Sequence, residues 1–179
     1  MIKKQTERGA AMIELLIAML VIAFGVLGFV GLQAQTALSQ LEGYQRSQAL
    51  ILISDISERI SLNRANAAAY VGNNIGTTDP GNCSAIVDRA ARDLCEWSQT
   101  LRGAAEVQVT GGVTVKLGAM TGARGCITSP AANEYLISIA WQGVQATGTP
   151  ANSCGQNAYS NENMRRAVTT VVQIATLAS

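Results

Sequence analysis

The chain has 179 residues, enough for one long helix and a single domain with its own core. It is 48% hydrophobic but only 14% charged, well below the roughly 25% of soluble domains, and it has no histidine, which removes Ser-His-Asp and Cys-His nucleophile schemes and the commonest transition-metal ligand. The net charge is +1, and setting aside Lys3, Lys4, Arg8 and Glu7 at the N-terminus turns it to −1, so the basic excess that nucleic-acid binding needs is missing.

The first nine residues, MIKKQTERG, are polar and basic, and an apolar run from Ala10 to Leu32 follows at once. As a helix these 23 residues span roughly 35 Å, enough to cross a bilayer. A secretory signal has an apolar core of about 7 to 15 residues with a small-residue cleavage site beyond it. Here the polar segment ends in Gly9, ahead of the run. Lys3, Lys4 and Arg8 keep the N-terminus cytoplasmic by the positive-inside rule and place the rest outside. The one charge within the run is Glu14, costly by about 3 kcal/mol at the centre of a bilayer. Two readings of it stand: a carboxylate that snorkels to the headgroups, or one kept for a partner.

The helical period continues through Leu38, Leu41, Gln45, Ala49, Leu52, Ile56 and Ile60. On another face Glu42 with Arg46 and Asp55 with Arg59 form acid-first i,i+4 pairs. One helix from about Ala10 to Leu62, its second half lying on a domain, is the expectation; a membrane helix hinged to a separate amphipathic one is the alternative. Residues 63–82 are rich in Asn, Gly, Thr and Pro and read as a surface loop. Ser84 is placed to cap a helix ending near Leu101, with Ile86, Ala90, Leu94, Trp97 and Leu101 on one face. From Ala105 the period becomes two: Val107 and Val109, a Gly111, Gly112 turn, then Val113, Val115 and Leu117 predict a hairpin. The strongest strand is EYLISIAWQGV, with Tyr135, Ile137, Ile139 and Trp141 on one face and Ser138 and Gln142 on the other; a last strand covers Ala167–Ala175. The fold class is therefore α+β, a long N-terminal helix packed on a mainly antiparallel four-stranded sheet.

Cys83, Cys95, Cys126 and Cys154 form no CxxC pair, so neither a zinc ribbon nor a thioredoxin-like motif is present. An even count at wide spacing behind an export-like N-terminus reads as two disulfides in an oxidising compartment, against the alternative of four buried thiols.

The string KKQTERG followed by AAMIELLIAML, with a Gly closing the leader and a Glu at the fifth position after it, closely resembles the class III signal of type IV pilins and type II secretion pseudopilins. The Ile-rich second half of the first helix, the GCI segment at Cys126 and the YLISIAWQG strand resemble the PilV-type minor pilins. The resemblance implies a pilin fold, cleavage by a prepilin peptidase between Gly9 and Ala10, methylation of Ala10, and pairing of Glu14 with the terminal ammonium of a neighbouring subunit. Such a pair is tolerable when buried, whereas a misplaced subunit leaves both charges unpaired. Two residues depart from the family pattern: Ala10 stands where Phe is usual, and Gly25, Gly28 and Gly31 replace the helix-breaking Pro of major pilins. The implied organisation is a leader at 1–9, a transmembrane helix half at 10–32, an amphipathic half at 33–62 and a periplasmic domain at 63–179. The implied role is a non-enzymatic minor pilin without cofactor or metal, held in the inner membrane and then carried in a surface pilus. Its implied partners are other minor and major pilins, the peptidase and a tip adhesin, in support of adhesion and twitching motility.

A minor pseudopilin of a type II secretion system is the alternative, and a membrane-anchored receptor or enzyme a third. The acidic cluster of a C-terminal calcium site, as in the major pseudopilin, is missing, since the stretch after Tyr135 offers only Glu162. Four cysteines allow three connectivities and the sequence does not choose among them. We expect Cys83 with Cys95, closing a loop over the neighbouring turn and helix, and Cys126 with Cys154, enclosing the Tyr135–Val144 strand.

Overall fold

The computed structural model describes residues 7–104, 107–116 and 120–175, with the backbone alone at 7–10, 114 and 115. The expected leader therefore lies outside the described residues up to Thr6, as do Ala105 and Leu117 of the expected hairpin. Helix α1 runs without a break over Glu7–Leu62. The chain divides into two compact units, Met1–Leu41 and Glu42–Ser179.

In the second unit α1 buries Gln45, Ala49, Ile53, Ile56 and Ile60, spaced three or four apart so that they share one stripe. Ile56 and Ile60 are wholly buried, each worth about 1.5–3 kcal/mol of apolar transfer. Two expectations shift here. Ile53 takes a place on the stripe and Leu52, beside it, stays at the core's margin; Leu41, in the first unit, is 45% exposed. Asp55 does pair with Arg59 at 3.1 Å, but Glu42 is drawn away from Arg46 to Arg166, 3.1 Å off, and also accepts the Val144 amide at 2.7 Å. A partner on another element that forms a two-point contact outcompetes a neighbour on the same helix surface.

The stretch expected to be a loop at 63–82 holds a 3₁₀ helix, Arg64–Tyr70, and strand β1, Gly72–Ile75. Tyr70 anchors it: its ring is fully buried and its hydroxyl donates to Asp93 at 2.5 Å. Helix α2 spans Arg89–Leu101 and is capped by Asp88, whose carboxylate accepts the Ala91 amide at 2.8 Å. The expected cap, Ser84, sits instead in a separate 3₁₀ turn, Cys83–Ala85, capped by Asn82. Asp and Ser cap about equally well, and Asp88 is the one that lies next to the amphipathic run, so the helix starts there. Ala90, Trp97 and Leu101 face the core as expected, with Leu94 half-buried against it.

Strands β2, Val107–Thr110, and β3, Val113–Lys116, form the expected hairpin, with Gly111 and Gly112 at φ of 60° and 81°, as its two-residue turn demands. The hairpin is its own two-stranded sheet, not part of the main one. Strands β4, Arg124–Ala131, β5, Glu134–Gln142, and β6, Arg165–Gln173, complete an antiparallel sheet ordered β1-β4-β5-β6. Four strands are thus present as expected, but β1 and β4 take the two places assigned to the hairpin. Gly125 and Pro130 in β4 conceal it from a reading by β-propensity.

One face of the sheet packs Ile127, Tyr135, Ile137, Ile139 and Trp141 into the core with α1 and α2. The opposite face of β5 is buried too: Ser138 and Ala140 lie beneath the segment 143–164. That segment is held from two sides. The Cys126–Cys154 disulfide ties it to β4, and the buried Arg165 guanidinium donates to the carbonyls of Pro150, Asn152 and Cys154 at 2.7–3.1 Å. Arg165 also grips Glu162 at 2.7 Å, which holds that carboxyl below its usual range.

Candidate functional site

From Met12 to Leu32 every large apolar side chain on α1 is between 53% and 70% exposed. The helix contains an 18-residue window of mean hydropathy 2.8 with no residue of it buried, so it is long and apolar enough to cross a membrane. Leu, Ile, Val and Met point outward all round it, as they do on a helix meant for an apolar surrounding and not for one wet face. Past Leu32 the character changes: the hydroxyls of Thr36 and Ser39 return to the carbonyls of Leu32 and Gln35 at 2.9 and 3.1 Å.

Glu14 stands exposed on this helix between Ile13 and Leu15. Gly9 and Ala10 fall in the first turns of α1, where the backbone alone is described. Residues 10 and 14 are one helical turn apart, about 6 Å along the axis, and so lie on one face. A Cβ added at Gly25, Gly28 or Gly31 would meet nothing within 4 Å. Small residues at such spacing permit close approach of a second helix.

The four cysteines form two disulfides, Cys83–Cys95 and Cys126–Cys154, and none is free. The first fastens the 3₁₀ turn to α2; the second fastens the 143–164 segment to β4. Elsewhere in the domain the densest charge cluster gathers around one arginine. Arg59 of α1 binds Asp55, Asp93 and Glu96 at 2.7–3.1 Å. Burial works against its charge, but Glu96, Asp55 and Asp93 outweigh it and hold the guanidinium more firmly protonated than usual. The Tyr70 hydroxyl is pushed up to about 12, first by burial and then by its bond to Asp93. Among the described residues no three His, Cys, Asp or Glu side chains converge as metal ligands do. The contacts of Glu42 with Arg166 and of Arg165 with the 150–154 carbonyls were missed by reading the sequence: partners 124 residues apart leave no local signal, and a carbonyl ligand leaves none at all.

Comparison with protein-family patterns, curated proteins and solved structures returns no match to this chain.

Proposed function

We propose that the chain is a minor pilin of a type IV pilus, made as a precursor, held by α1 in the inner membrane with its domain in the periplasm, and incorporated near the filament tip. One observation carries the reading: a continuous helix whose first part is wholly exposed and apolar, with a single acid five residues beyond Gly9, leads into a disulfide-stapled α+β domain. The exposed apolar helix suits both a bilayer and a filament core, and the two disulfides suit the oxidising side of the membrane. In this reading a prepilin peptidase cuts between Gly9 and Ala10, Ala10 is methylated, and Glu14 neutralises the amine of a neighbouring pilin. The partners are other minor and major pilins, met through α1, and a tip adhesin; the work done is adhesion and twitching motility, with no catalysis by this chain.

Glu14 supplies the experiment, since its side chain is exposed and lies in the first of the two compact units. Glu14→Val leaves membrane level and domain stability unchanged, or raises insertion by removing a charge. It lowers the amount of this subunit in sheared filaments and the number of pili per cell, while surviving fibres look normal. Incorporation of the variant at wild-type level contradicts the charge-pairing role; loss of secreted enzymes with pili intact assigns the subunit to a type II pseudopilus instead.

A further inference from the structure

The arginines of the domain differ in how fully they are engaged. Arg59, Arg165 and Arg166 have each at least two nitrogens engaged with carboxylates or carbonyls, at distances down to 2.6 Å. Arg102, after the end of α2, and Arg124, at the start of β4, do not. Arg102 has one long ion pair, 3.6 Å from its Nη2 to Asp79, a carboxylate that is itself 63% exposed. Arg124 reaches Asn74 with Nη1 at 3.4 Å, and its guanidinium lies 5.0 Å over the Tyr159 ring and also acts on the Tyr159 hydroxyl. The Nε–H of both is buried and without an acceptor among the described residues. Each guanidinium carries five donors, of which the ion pair of Arg102 and the hydrogen bond of Arg124 each take one.

Both side chains line one cavity of about 300 Å³, whose other walls include Leu101, Met120 and the glycines Gly76 and Gly122. Gly76 and Gly122 have φ of +92° and +61°, and a Cβ at Gly76 would stand 2.9 Å from Leu101 Cβ, so the backbone closes tightly there and keeps this wall free of other side chains. Arg102 and Lys116 both act on Asp79, whose carboxyl is held below its usual range first by the Gly81 amide and then by these cations.

We infer that this cavity binds an oxyanion, a carboxylate or a phosphate group, gripped between the guanidinia of Arg102 and Arg124. Planar guanidinia match such groups bidentately, and the Leu101 and Met120 side of the cavity lowers the local dielectric, which strengthens the contact. Asp79, 3.6 Å from Arg102 Nη2, competes for that guanidinium. The site rests on the domain alone and stands whether or not the chain is a pilin.

The test uses the full chain in detergent micelles at constant ionic strength, with inorganic phosphate and acetate titrated separately while the arginine Nε–H NMR signals are followed. Saturable shifts confined to Arg102 and Arg124 are expected, and the anion that saturates at lower concentration identifies the group preferred. Arg124→Gln and Arg102→Gln each weaken binding about tenfold, as loss of a charged hydrogen bond does. Asp79→Asn, which removes the competing carboxylate and leaves both arginines in place, strengthens it by up to about fivefold. Shifts that fail to saturate for either anion, or equal affinity in Asp79→Asn and in both arginine variants, overturn the inference.

Discussion

The six-membered ring of Trp97 occupies the space in which a side chain at Gly125 would stand. Trp97 is fully buried, and its indole N–H donates to the Leu52 carbonyl at 2.9 Å, so the ring is pinned between α1 and β4 and has no room to retreat. Gly125→Ala therefore overpacks the centre of the core, and we expect a loss of about 1–3 kcal/mol in stability. Gly148→Ala, where a Cβ meets nothing within 4 Å, is the control and leaves stability nearly unchanged. Thermal unfolding of both variants, followed by near-ultraviolet circular dichroism, measures the difference; a Gly125→Ala chain that melts with the wild type contradicts the packing described.

The two disulfides close loops of different length, with sequence separations of 12 and 28. In the chain-entropy account they contribute about 3 and about 3.5 kcal/mol. The longer one does more than close a loop, because it holds the segment 143–164 over Ser138 and Ala140. Replacing Cys126 and Cys154 by Ser is expected to destabilise more than replacing Cys83 and Cys95, and to speed amide exchange in the middle of β5. The opposite ranking in denaturant unfolding counts against this assignment of roles.

Tyr70 makes the domain sensitive to alkali. Its hydroxyl is pushed up to about 12 in the folded chain, above the value of about 10 of an unfolded tyrosine. A group whose folded value is raised stabilises fully below its unfolded value, and that contribution is lost as pH rises from about 10 to about 12. Tyr70→Phe leaves Asp93 one donor short and costs about 1–2 kcal/mol at neutral pH, but removes this part of the alkaline loss. Unfolding free energies of both chains from pH 7 to 12 provide the check: an alkaline limb of the same slope in the variant excludes Tyr70 as its source.

Local pattern made much of the domain legible. The apolar period placed α1 and most of its buried face, and period-two alternation placed β5 and the Gly111–Gly112 hairpin. What escaped depended on contacts that pattern does not encode. β1 is a four-residue GNNI strand with Asn74 at φ 57°, and it is held by pairing with β4. β4 carries Gly125 because Trp97 needs the space, so a residue that weakens the strand signal is the one the packing requires. Which four strands share a sheet was thus hidden although their number was not. At the N-terminus the string about Gly9 and Glu14 is a motif of the sequence alone, and the role proposed for it rests on resemblance. The orphaned donors of Arg102 and Arg124 were not, since only the fold brings the end of α2 beside the start of β4.

The N-terminus of the chain as produced in cells tests the proposed function most directly. Intact-mass measurement and N-terminal sequencing of the protein, expressed with and without a prepilin peptidase, decide it. The account predicts a chain starting at Ala10 and carrying one methyl group when the peptidase is present, the full chain when it is absent, and no shortening for Gly9→Leu under either condition. A chain cut beyond Leu32, or one that still loses its first nine residues in the Gly9→Leu variant, contradicts it.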